Sequence, residues 1–212
     1  MTISRTLLRE QIKELLLERI LSGVYKPGDR LIETQIAQEF GTSQAPVRES
    51  LRDLETLRFV EHEPFRGARV RAISREELAE IYPVRAALEE VAARAAALRL
   101  QSVEPLESEL EAMFRAADSG DLHEQVQHDV NFHRLIVEAS GNETLIGVWR
   151  QLRVEARTFI TALTTEIDLH RLAEMHRPVL EALAERDPDK AGRALRTHVE
   201  TFGDLFLKGG SP

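Results

Sequence analysis

Residues 40–57 read F-G-T-S-Q-A-P-V-R-E-S-L-R-D-L-E-T-L. Gly41 suits the end of a short helical segment, because glycine takes positive φ without a steric penalty. Ser43 offers a side-chain oxygen to the bare N–H groups of a new helix. Pro46 falls in that helix's first turn, where its missing N–H matters little. Val47, Leu51 and Leu54 recur at i, i+4 and i+7 and predict a buried stripe. Gln44, Arg48 and Arg52 recur every four residues on another face and point away from the core. A capped helix with an apolar back and a Gln/Arg front, joined by a tight glycine turn to a preceding helix, is the layout of a helix-turn-helix. Its second helix reads the DNA major groove, where Arg and Gln suit base edges and phosphates. The same spacing also fits an ordinary amphipathic hairpin with solvated arginines.

The flanking residues narrow the choice. Upstream lies I-L-S-G-V-Y-K-P-G-D-R-L-I-E-T-Q-I-A-Q-E-F-G, and downstream F-V-E-H-E-P-F-R-G-A-R-V. Residues 5–22 place Leu8, Ile12, Leu15, Leu16 and Ile20 at helical spacing, and Gly23 stops that helix. Lys26-Pro27-Gly28-Asp29 is a turn. A short helix from about Glu33 to Phe40 buries Ile36, Ala37 and Phe40. Two strands, Phe59 to His62 and Ala68 to Ala72, flank the loop Glu63-Pro64-Phe65-Arg66-Gly67; the second alternates small apolar residues with Arg, as a half-buried strand does. This is a wing or a plain surface hairpin, and Arg66 at its tip is placed for a minor groove or a phosphate.

The run Ile20 to Val70 closely resembles the GntR superfamily of bacterial winged-helix repressors. The resemblance implies a winged helix-turn-helix over residues 1–73, with Thr34, Ser43, Gln44, Ala45, Arg48, Arg52, Arg66 and Gly67 meeting double-stranded operator DNA. The family commonly has Arg and Thr where this chain has Gln44 and Ala45. Arg48 is then the base or phosphate contact that matches, and Gln44 favours adenine over the guanine that Arg reads.

Composition bounds the rest. The chain has 212 residues, 30% charged and 42% hydrophobic, with a formal charge of −8. Residues 1–73 carry twelve Lys and Arg against eleven Asp and Glu, net +1; the remainder carries sixteen against twenty-five, net −9. A near-neutral part with local Arg clusters, followed by an acidic part, suits a DNA reader attached to something else. No cysteine is present, which excludes disulfides, thiolate zinc fingers and cysteine nucleophiles and is compatible with the cytoplasm. Glu10, Glu14 and Glu18 rule out a signal peptide at the start, and no apolar run reaches the length of a membrane span.

From Ser74 onward the signals are helical throughout, with spans near 75–100, 103–119, 122–139, 143–164, 170–186 and 188–207. Ser74 with Glu77 is a capping box and Asp121 with Glu124 its Asp variant. Asn142 caps a further helix, and Asp187-Pro188 is a cap followed by proline at the first helical position. Pro83 and Pro178 predict kinks or breaks. The fold is therefore mainly α: the winged part, then an all-α antiparallel bundle over 74–208, then a tail at 209–212 expected to be disordered.

Six of the seven histidines lie in the acidic part. Asp129 and His133, at i and i+4, project from one helix face, as two ligands to one metal would. His176 and His198 lie beside apolar lines of two further helices. Convergence of the four would suit a divalent transition metal with open positions; separately hydrogen-bonded core histidines are the alternative. His128 and His170 lie off this pattern, and His62 and His123 read as exposed.

D-V-N-F-H at 129–133, E-A-S-G-N after it, M-H-R-P-V-L-E-A-L, A-L-R-T-H-V-E and P-V-R-A-A-L-E-E at 83–90 resemble the FCD effector domain of the FadR subfamily, in its shorter VanR-type branch. The resemblance implies that Asp129, His133, His176 and His198 ligate one divalent ion (Zn, Ni or Mn) and that a small carboxylate completes its coordination. Arg85 is the first candidate to hold that carboxylate, since its donor fork matches one. Arg153 and Arg157 are further candidates, equally readable as salt-bridge partners. The function implied is a ligand-responsive regulator acting as a homodimer on an inverted repeat. Two rivals stand beside it: a metal-dependent enzyme with a His/Asp centre, and an architectural DNA binder with a structural metal.

Overall fold

The computed structural model describes residues 5–63, 66–72, 74–163 and 168–209. Pro64 and Phe65 of the expected wing loop, and residues 210–212 of the expected tail, lie outside these. The chain divides into two compact units, Met1–Ala72 and Ile73–Pro212.

The first unit runs α1 (Arg5–Leu21), β1 (Arg30–Leu31), α2 (Glu33–Glu39), α3 (Gln44–Thr56), β2 (Val60–Glu63) and β3 (Gly67–Val70). Ile12, Leu16 and Ile20 of α1 meet Val47, Leu51 and Leu54 of α3 in one core, every one of them at most 2% exposed. The Ser50 hydroxyl lies 2.8 Å from the Arg9 carbonyl and so ties α3 to α1. Gly41, at φ 61°, ends α2. Its N–H donates to Gln38 and that of Thr42 to Ala37, which is the paired C-terminal bonding of a Schellman turn.

Three local expectations change. Ser43 has the extended backbone of an N-cap, but its side chain makes no capping bond. The N–H three residues on, a usual partner, does not exist because Pro46 stands there. Leu15 is 43% exposed, flanking the Ile12–Leu16–Ile20 line. Phe40 is only half buried and lies under the Arg19 guanidinium, 4.9 Å from its ring centre. The wing also gains a strand. β1 pairs with β3 (Arg30 with Arg69, Leu31 with Ala68), and β3 pairs with β2 from Val60–Val70 to Glu63–Gly67. The sheet is antiparallel, in the order β1-β3-β2.

The second unit is a helical bundle: α4 (Arg75–Arg99), α5 (Glu104–Ser119), α6 (Leu122–Ala139), α7 (Glu143–Gln151), α8 (Val154–Leu163), α9 (Leu169–Glu174), α10 (Arg177–Ala184) and α11 (Pro188–Gly209). Ser74, Asp121 and Asn142 each accept a backbone N–H at a helix start, as their sequence positions predict. α4 packs along α11, and α5 along α6. α4 continues through Pro83. The loss of a hydrogen bond there, on the order of 3 kcal/mol with its strain, is offset by burial of Tyr82 and Ala86 on either side. Pro178 behaves as expected: the predicted 170–186 helix is interrupted at Met175–His176, just before it. The 143–164 helix also divides, at Leu152–Arg153, where Arg153 takes φ 50°. No helix among the described residues is long and apolar enough to cross a membrane.

Candidate metal centre and nucleic-acid interface

In the first unit, Thr34, Ser43, Gln44, Ala45, Arg48, Arg52, Arg66 and Gly67 are all exposed. α3 therefore turns its polar face to solvent and its apolar face to α1. Arg48 is engaged: its Nε stands 3.0 Å from both Glu33 carboxylate oxygens and its Nη2 2.7 Å from Oε2. Arg66 lies at the wing tip with its side chain 74% exposed. Gly67 takes φ 83°, which an L side chain rarely adopts. Arg30 Nη2 donates to the Arg66 carbonyl at 2.6 Å, fastening β1 to the tip.

In the second unit, Asp129 and His133 of α6, His176 before α10 and His198 of α11 converge. One ligand atom from each lies within 4.8 Å of all the others, and all four residues are buried. The outer nitrogens are fixed. His133 Nδ1 donates to Glu89 Oε2 (2.5 Å), His176 Nδ1 to the Leu172 carbonyl (3.0 Å) and His198 Nδ1 to the Met175 carbonyl (3.1 Å). These partners are acceptors only, so each imidazole, when neutral, carries its proton outward and turns a bare Nε2 inward. His133 Nε2 and His198 Nε2 face each other at 3.2 Å. His176 Nε2 stands 3.1 Å from Asp129 Oδ1 without an aligned hydrogen bond, buried and otherwise unpartnered. Four acceptors thus confront one another with no donor among them. One divalent cation satisfies all four, and imidazole with carboxylate is the donor set transition ions take.

Electrostatics sharpen the arrangement. Burial alone raises the Asp129 carboxyl, but His176 and His133, when protonated, together with Arg85 more than compensate and hold it at about 2. Burial pushes His198 well below the ordinary histidine value, and the neighbouring His176 and His133 push the same way. Glu89, fully buried, is resisted by desolvation but held far below the usual carboxylate range by Arg85, His133 and Trp149. Arg85 Nε and Trp149 Nε1 both reach its Oε1 at 2.7 Å. Sequence reasoning missed Glu89 as a site residue, although its i, i+4 spacing from Arg85 was a visible signal.

The effector candidates separate. Arg85 is buried between Glu89 and the Thr158 hydroxyl, 3.3 Å from its Nη1. It lines, with Tyr82 and Arg157, a cavity of about 10 Å³, room for a single water. Arg157 is half-buried and also meets Glu77 at 3.4 Å. Arg153 is exposed at the α7–α8 junction and does not itself line this cavity, although Leu152 and Val154 on either side of it do. A larger open groove of about 460 Å³, edged by Lys190, Arg193 and Thr197, has His198 in its wall. The other histidines have partners of their own: His128 with Glu109 at 2.7 Å, His170 with Asp118 at 2.9 Å and His62 with Glu55 at 2.9 Å. His123 is half-buried, edge-on to Phe159, rather than exposed.

Residues 8–70 match the model of the bacterial regulatory proteins of the gntR family, and residues 80–201 match that of the FCD domain. The chain belongs to the GntR family. Among its GntR-family relatives is a probable D-xylose utilization operon transcriptional repressor of Paenarthrobacter nicotinovorans, 35% identical over 94% of this chain and 89% of the repressor. Another is the gluconate operon transcriptional repressor of Bacillus subtilis (strain 168), 31% identical over 80% of this chain and 72% of that one. A putative GntR transcriptional regulator from Rhodococcus sp. RHA1 shares the fold at a TM-score of 0.80 and 22% identity, covering 96% of this chain and 99% of its own. These GntR relatives are regulators, which answers the enzyme alternative: the chain is a DNA-binding transcriptional regulator of the GntR type carrying an FCD domain.

Proposed function

We propose that the chain is a carboxylate-responsive repressor working in the cytoplasm as a homodimer, with Asp129, His133, His176 and His198 holding one divalent cation. The observation that carries this is the set of four inward acceptors, fixed from outside by Glu89, Leu172 and Met175. When bound, such a cation supplies positive charge and open coordination positions to an oxygen ligand. Glu89 orients His133, and Arg85 stands next to Glu89 as the cationic partner for a carboxylate. The gluconate operon of one relative is named for a sugar acid, a carboxylate of this kind.

The dimer has its own support. One recognition helix per chain reads too few base pairs for useful specificity. α4 exposes Val84, Val91 and Leu98, seven residues apart, with Leu98 70% exposed. A second copy of the same helix would cover that stripe on a two-fold axis, pairing two α3 helices with an inverted repeat. Thr34, Ser43, Gln44, Ala45, Arg48 and Arg52 would meet the major groove, and Arg66 and Gly67 the adjoining minor groove or phosphates.

Elemental analysis of protein purified without added metal or chelator tests the site. About one metal per chain, abolished by H176A, is the expected result. No metal in the wild type, even after incubation with zinc, nickel or manganese, would overturn it.

A further inference from the structure

Arg48 is the exposed cation in the middle of α3, yet it does not float free. Glu33, the first residue of α2, takes one edge of its guanidinium: Nε and Nη2 point at the two carboxylate oxygens, at 2.7 to 3.0 Å. That edge is spent. The other edge, Nη1 with the second N–H of Nη2, has no protein partner among the described residues and lies on the solvent face with Gln44 and Arg52. Two parallel N–H groups are the donor pair that O6 and N7 of guanine accept in the major groove. A carboxylate this close also makes the pair a poor clamp for a phosphate, because it repels the anion and offsets the guanidinium charge.

We propose that Glu33 is a specificity-determining positioning residue that holds Arg48 as a reader of guanine and keeps it off the phosphate backbone. This rests on the reading of α3 as the helix in the major groove. Glu33 acts in two ways. It removes rotamers from a long side chain before binding, so less freedom is lost when the base contact forms. It also penalises non-specific DNA, where no guanine repays the repulsion between its carboxylate and the phosphates.

The test uses the full chain and a duplex selected by the wild type from a random library, with an unrelated duplex as reference. Fluorescence anisotropy across a salt series gives affinity and salt slope for wild type, R48A, R48K and E33Q, with folding checked by circular dichroism. R48K keeps the charge and loses the fork. It should bind the selected duplex more than tenfold more weakly while holding the unrelated one within twofold. Replacing one guanine per half-site should cost the wild type the same factor and R48K almost nothing further. E33Q should tighten binding to the unrelated duplex, lower discrimination, and steepen the salt slope by about two, one for each protomer's Arg48 that turns to a phosphate. If R48K retains selected-duplex affinity while R48A loses it, Arg48 is a phosphate contact and the inference falls, with the DNA-reading assignment of α3 intact. If E33Q leaves both discrimination and slope unchanged, the inference also falls. If R48A itself changes nothing, Arg48 is no contact at all and the assignment of its role falls too.

Discussion

Glu89 carries a charge at zero exposure because donors from three helices converge on it: Arg85 of α4, His133 of α6 and Trp149 of α7. An outer partner of this kind fixes a ligand imidazole's tautomer and raises its basicity, and losing one typically weakens metal binding by about 10- to 100-fold. E89Q is accordingly expected to weaken zinc binding by that factor in competition with a chromophoric chelator. An affinity within twofold of wild type, in a folded protein, would remove Glu89 from the site. The metal-free protein should also respond to pH. His198 has its folded value depressed below the ordinary one, so on acidification the unfolded chain takes up the proton first. Its contribution is therefore present above about pH 6.5 and declines below it, by at most about 1.4 kcal/mol per pH unit. Asp129, held at about 2, follows the same sign lower down, between its ordinary value and about pH 2. The melting temperature of chelator-treated protein should fall from pH 7 to pH 5, and bound metal should suppress that fall near neutrality. A flat profile in the metal-free protein would show that His198 is not held neutral by burial.

At the level of elements, what could be read from sequence was what is decided locally. The α2–α3 turn was legible because Gly41, Pro46 and the Val47–Leu51–Leu54 stripe each act within a few residues. β1 was not, since two residues carry no periodicity and its pairing with Arg69 and Ala68 is set across the fold. Pro83 leaves α4 unbroken, because its cost is local while the burial that offsets it comes from packing against other helices. The four candidate ligands could be picked out from the i, i+4 pair and the family pattern, whereas Glu89 meets His133 and Trp149 44 and 60 positions away. Val91 lies in the middle of the exposed stripe on α4. V91D places a charge in the middle of the proposed dimer seam and should give a monomer by sedimentation at micromolar concentration, with helicity unchanged. A persistent dimer would move the seam elsewhere.

The whole molecule is two units, each with a readable task. The first exposes a polar helix face and an arginine-tipped wing. The second encloses four acceptors that a cation would satisfy, beside an arginine already paired to a carboxylate. A ligand can shift an equilibrium only by its differential affinity for two states, so sensing requires that carboxylate binding in the second unit change DNA affinity in the first. The direct measurement is the affinity of the metal-loaded wild type for its selected duplex with and without a panel of small carboxylates, gluconate included, repeated on metal-stripped protein and on H176A. At least one carboxylate should change the affinity by roughly 5- to 150-fold, the usual range of allosteric coupling, and metal-stripped protein and H176A should not respond. An equal response without the metal site, or no response from the loaded wild type to any carboxylate in the panel, would contradict it.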